Sequence, residues 1–241
     1  MTPSQTIERK NIHRLAGALG YIYILTIAVW IVITFVYQKI LYPPERVESF
    51  YDALTYYSVH KGYIGWDHGS KGIVFLLCSL IPIATYDALK REQTSFVHLA
   101  GMIFGVISFW TLSLSFILQA FTMEYAIGLF QSAEDPLTQH FAVNLARWSG
   151  DGGGFSLSLY TISYMSLALW IAFLLKGDHS VSTLMKFLSV ITVVAHIAVP
   201  IAVFIAFITT NKNYNDLNGI ADILFIIWLF FHSRRLWRRE M

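Results

Sequence analysis

Between Arg14 and Lys39 the chain carries no charged side chain. A helix needs about 20 apolar residues to cross the ~30 Å hydrocarbon core of a bilayer. Leu15–Gln38 supplies that length. Five further segments come close: about 72–89 with Pro82, 97–123, Phe155–Leu175, 187–209 with His196 and Pro200, and 215–232 with Asp222. Lipid offers the backbone no hydrogen-bond partner, so each such segment is expected to be a helix. Charged residues make up 13% of the chain, against about 25% in soluble domains. The fold class expected is all-α. It is a polytopic membrane protein: a single six-transmembrane-helix bundle over 1–241, with two short amphipathic helices on the outer face.

The basic residues orient this arrangement. With the N-terminus inside, the inner segments hold eleven of the 17 Lys and Arg residues. The outer segments hold Lys39, Arg46, Lys61, Lys71, Arg147 and Lys212. Six spans put both termini on the cytoplasmic side, where the terminal SRRLWRRE anchors on anionic headgroups. The first apolar run is longer than a leader's and lacks a small-residue cleavage site, so it is read as retained. The single cysteine, Cys78, leaves no internal disulfide and no paired-thiol metal site.

Two outer segments are expected to fold. In YPPERVESFYDALTYYSVHKGYIGWDHGSKG, Pro43 and Pro44 end the first span, and Val47, Phe50, Tyr51, Leu54 and Tyr57 recur at helical spacing. In QSAEDPLTQHFAVNLARWSGDGGGF, Asp135 is a helix cap with Pro136 in the first turn. Leu137, Phe141, Leu145 and Trp148 form its apolar face, and Gly150 ends it. The GDGGG run lacks the preceding strand and following lysine of a phosphate-binding loop and reads as a turn.

The chemistry must come from polar residues inside the spans. His196 lies about 15 Å along its helix from Lys186, near mid-membrane. Pro200 cannot donate to the His196 carbonyl, so an imidazole and a released carbonyl share one level. Ionisable groups at such depth are rare and mark functional sites. Asp222 is the second such group. Whether it meets His196 depends on which end of the helices is counted from. Tyr160 and Ser163 share a face with Ser156 on the fourth span, Gln119 lies on the third, and Glu124 follows its end. These six residues, His196, Asp222, Tyr160, Ser163, Gln119 and Glu124, are the ligand-site candidates. The hydroxyls serve equally as interhelical hydrogen bonds.

Metal chemistry has less support. On the outer side His60, Asp67, His68 and His140, with Glu134, form a candidate divalent-metal set, although no HExxH-type motif accompanies them. His98 and His232 are the pair available to a haem. No cofactor is expected. No nucleophile elbow or Ser-His-Asp spacing is present, so no catalytic residue is assigned.

Taken together, HRLAGALGYIYILTIAVW, the long outer loop, DALKRE, and GGGFSLSLYTISYMSLALWIAFLLKGD followed by LMKFLSVITVVAHIAVPI resemble a family of six-span bacterial integral membrane proteins of unknown function. The likeness runs over residues 12–232 and implies the fold without assigning an activity. The function expected is that of a non-enzymatic inner-membrane protein that binds a small molecule or lipid, as a transport or sensory accessory. The alternative is a membrane-embedded enzyme or metalloprotein using His196 and Asp222 or the outer His/Asp set. The partners expected are the lipid bilayer, a small lipophilic ligand, and a partner protein or a second copy of the chain. Nucleic acid is not among them.

Overall fold

The computed structural model describes residues 3–41, 49–60, 62–90, 96–150, 154–177, 181–209 and 215–238. Pro43, Pro44, Val47, residues 151–153 of the glycine run and residues 210–214, where the sequence suggests a turn, lie outside them. Among the described residues there is no strand. The elements are α1 (Pro3–Phe35) with a π-helical turn (Val36–Leu41), α2 (Phe50–Val59), α3 (Tyr63–Cys78), α4 (Leu80–Lys90), α5 (Phe96–Ser132), α6 (Pro136–Ser149), α7 (Gly154–Gly177), α8 (Thr183–Thr209) and α9 (Asn215–Arg238). Six stretches are long and apolar enough to cross a membrane: Asn11–Leu41, Tyr63–Asp87, Phe96–Ser132, Pro136–Gly177, Thr183–Ala206 and Leu217–Arg238.

Besides an apolar core, these helices bury many polar side chains and expose large apolar ones. Ser108, Ser113, Ser115, Gln119, Ser163, Thr192 and His196 are buried, whereas Leu25, Val32, Phe121, Phe187, Val194 and Phe204 are exposed. A water-soluble protein sorts these residue types the other way. Buried hydroxyls and amides tie helices together where the surroundings are as apolar as leucine.

The second apolar stretch starts earlier than hydropathy predicts. α3 takes up Tyr63 onward, so Asp67, His68 and Lys71 lie on a helix rather than in an outer loop. Lys71 is only 4% exposed. α3 ends at Cys78 because Pro82, four residues on, has no N–H for the Cys78 carbonyl. Pro82 itself sits in the first turn of α4, where an N–H would have no helical partner.

The chain forms two compact units by its contacts. The first comprises Met1–Ile24, Leu77–Trp110 and Thr161–Met241. Its centre is aromatic. Trp170 meets Phe109 and Trp228 edge-on, and Trp228 stacks on His232 at 4.7 Å. The Trp228 indole N–H donates to Ser189 Oγ at 2.9 Å, so its polar atom is satisfied inside this core. Gly105 sets the spacing of α5 here. A Cβ at that position would lie 2.7 Å from Pro82 and 2.9 Å from Trp170. With Gly101 it makes a small-xxx-small pair, the pattern that lets apolar helices approach closely. Gly105→Leu is expected to cost about 1–3 kcal/mol through overpacking. The check is the melting temperature of the detergent-purified variant, which should fall while Gly128→Leu, with nothing within 4 Å of its Cβ, stays near wild type.

The second unit comprises Leu25–Leu76 and Thr111–Tyr160. α2 and α6 pack here around Leu54, with Ile64, Met123, Ala126, Ile127, Ala142 and Ala146. α2 starts with a capping box: Ser49 Oγ accepts from the Asp52 amide, and Asp52 Oδ2 accepts from the Ser49 amide. α6 is capped by Asp135 with Pro136 in its first turn, and ends at Gly150. The Thr138 hydroxyl and amide hold the Asp135 carboxyl below the usual carboxylate range. The expected apolar face of α6 is not the face that packs against α2. Ala142, Ala146 and Ser149 are the buried residues, while Leu137, Phe141 and Trp148 are exposed and Leu145 is half-buried. Alanines allow α6 to seat directly on Leu54, and the bulky side chains then point away.

Candidate functional site

In the first unit, α7, α8 and α9 bring three polar groups to one place. The Tyr164 hydroxyl donates to Asp222 Oδ1 at 2.7 Å. The Tyr164 ring lies 5.1 Å from the His196 ring, and Phe225 lies 5.9 Å from it on another side. No direct His196–Asp222 contact is made among the described residues. Tyr164 stands between them, touching the imidazole with its ring and the carboxylate with its hydroxyl.

His196 is fully buried. Its Nδ1 lies 2.8 Å from the Thr192 carbonyl. A carbonyl only accepts, so Nδ1 carries the proton, and Nε2 is left as a lone-pair acceptor. That nitrogen has no hydrogen-bond partner among the described residues. α8 runs on through Pro200, which gives the His196 carbonyl no N–H from one turn ahead. On α9, Asn218 sits one turn before Asp222, and its side-chain oxygen is also buried without a partner. Asn218, Asp222 and Phe225 follow i, i+4, i+7 spacing, so one stripe of α9 carries the amide, the carboxylate and the ring that meets His196.

The second unit holds a different set. Lys71 Nζ donates to Asp67 Oδ2 at 2.8 Å across one turn of α3, with the two side chains 4% and 9% exposed. The ammonium lies 3.5 Å from the centroid of the Trp30 ring and 5.3 Å from that of Phe116. His68 Nδ1 is 3.1 Å from the same Asp67 oxygen, an ion-pair distance without the alignment of a hydrogen bond. Nearby on the same elements, the Gly65 amide donates to Glu124 Oε1 at 3.0 Å. Gln119 donates to Ser115 Oγ at 3.0 Å and to Tyr160 at 3.4 Å. The ion pair is closed within the protein and has an aromatic cover.

The other candidates separate. Ser163 joins α7 to α5 through Ser108, donating to its carbonyl at 3.0 Å. His60 packs against Tyr37 and Tyr56, away from the Asp67–His68 pair, and His140 is exposed. Among the described residues no three His, Cys, Asp or Glu side chains gather as metal ligands. His98 Nε2 faces the Gly177 carbonyl at 3.0 Å and carries the proton there, so that nitrogen is engaged within the protein. His232 Nε2 is occupied by Thr85 Oγ1 at 2.8 Å.

Lys71, Tyr164 and Asn218 were missed as site residues in the sequence. The Asp67-x-x-x-Lys71 and Asn218-x-x-x-Asp222 spacings were the available signals, each placing two polar groups on one helix face. Tyr164 had no such signal, standing among seven Ser, Thr and Tyr residues between 156 and 166. Compared with models of known protein families, with curated proteins and with solved structures, the chain gives no match in any of the three.

Proposed function

We propose that the chain is a multi-pass protein of the bacterial inner membrane, with both termini cytoplasmic. It binds a small or lipophilic molecule at the His196–Tyr164–Asp222 centre and performs no covalent chemistry there, serving as a transport or sensory accessory. The observation that carries the binding role is the Nε2 atom of His196. It is a strong acceptor, fully buried and without a donor among the described residues. A buried acceptor left unpaired costs about 1–3 kcal/mol. A ligand that donates to it recovers that cost, whereas the ion pair of the second unit is already satisfied within the protein. The membrane setting is supported by the six apolar stretches, by their exposed apolar and buried polar side chains, and by the basic residues of the two tails.

The test is a melting experiment on detergent-purified protein against a panel of cationic, neutral and anionic amphiphiles. At least one compound is expected to raise the wild-type melting temperature by several degrees and to leave His196→Phe unmoved. Saturation at a hundred times Kd stabilises by about 2.7 kcal/mol, which such a melt resolves. A panel in which no compound separates the two proteins contradicts the binding role. Conversion of a compound during the incubation would favour the enzymatic alternative.

A further inference from the structure

We infer that the ligand of this centre is a protonated primary amine carrying an apolar body. The inference rests on the binding role proposed above and adds the chemical class. It follows from what the centre offers and what it lacks. His196 Nε2 and the Asn218 amide oxygen accept hydrogen bonds and have no partner among the described residues. Asp222 is a further acceptor, and the Tyr164 hydroxyl that donates to it is already spent as a donor. Among the described residues no Lys or Arg is paired with Asp222.

The rest of the surroundings is aromatic. Tyr164 and Phe225 lie against His196, and Tyr23 meets Phe225 edge-on at 5.7 Å. Ring faces attract cations, most strongly away from water. Asp222 is also exposed, only five residues into the apolar stretch that starts at Leu217. A carboxylate in such a setting needs a counter-ion. An anion would meet only acceptors and a negative charge. A neutral alcohol would satisfy one acceptor and leave the carboxylate uncompensated. An alkylammonium supplies three N–H donors and the missing positive charge, and its chain suits the apolar flank.

The experiment compares four probes with one body and different heads: hexylammonium, hexyltrimethylammonium, 1-hexanol and hexanoate. Each is titrated into the full-length protein in detergent near neutral pH, with binding read by melting temperature and by calorimetry. Hexylammonium is expected to bind. Hexyltrimethylammonium, which keeps the charge and loses the N–H donors, should bind at least tenfold more weakly, and 1-hexanol and hexanoate should show no shift. Asp222→Asn should reduce hexylammonium affinity at least tenfold. Asn218→Ala, a milder change on the same stripe, should reduce it several-fold, which keeps the test open if Asp222→Asn does not fold. Absence of hexylammonium binding, an equal response to any other head, or an unchanged affinity in either variant would overturn the amine assignment. Equal binding of 1-hexanol would indicate a neutral, protonated Asp222. In each of these cases the binding role itself stands or falls separately, on whether any panel compound distinguishes wild type from His196→Phe.

Discussion

Lys71→Met should destabilise the protein by about 3–5 kcal/mol, the usual cost of removing one partner from a buried ion pair. The loss has two sources. Asp67, 9% exposed at its side chain, keeps its charge without the ammonium that donates to it. The Trp30 ring also loses the cation lying 3.5 Å from its centroid, a contact worth up to about 2 kcal/mol when desolvated. Methionine preserves most of the apolar stem, so the effect belongs to the charge. The double variant Asp67→Asn with Lys71→Met should recover most of the loss, because it leaves no buried charge uncompensated. Thermal unfolding of wild type, the Asp67→Asn and Lys71→Met single variants and the double variant in one detergent measures this coupling. A Lys71→Met protein as stable as wild type would show that the pair is solvated in solution.

Leu54→Ala should cost about 2–5 kcal/mol, the range for truncating a fully buried leucine. Leu54 fills the space between α2 and α6, and its neighbours Ala142 and Ala146 are too small to close a cavity. The cost should fall mainly on the attachment of these two helices. Limited proteolysis is therefore expected to cut α2 or α6 of the variant first. Phe141→Ala, on the exposed side of α6, should leave the melting temperature and the cleavage pattern near wild type. Equal effects of the two substitutions would contradict the assignment of the α6 packing face.

The long helices were legible because nothing competes with a run of twenty apolar residues. The cap of α6 was legible because its signal is local: an aspartate before a proline. The start of α3 was not. Its glycines, which lower helix propensity by about 1 kcal/mol each, and its charges both read as loop. The structure turns each to use. Gly65, Gly69 and Gly72 lie along one face, where added Cβ atoms would meet Glu124, Ala120 and Ile117 of α5. Asp67 and Lys71 cancel one another one turn apart. The packing face of α6 was not legible, because hydrophobicity was weighed without size. Bulk marks what is apolar, but the smallest residues mark where two helices can touch. His196 and Asp222 stood out because charge and imidazole are rare in such runs. Their link through Tyr164 is a tertiary relation that no spacing encodes.

The central claim is that the chain threads a bilayer six times with both ends on the cytoplasmic side. Single cysteines introduced in a Cys78→Ala background test it most directly, at the exposed positions Asn11, Asn144 and Arg238. A membrane-impermeant maleimide applied to intact cells is expected to label Asn144→Cys. It should reach Asn11→Cys and Arg238→Cys only after permeabilisation. Labelling of either terminal position in intact cells, or protection of Asn144→Cys, would contradict the account.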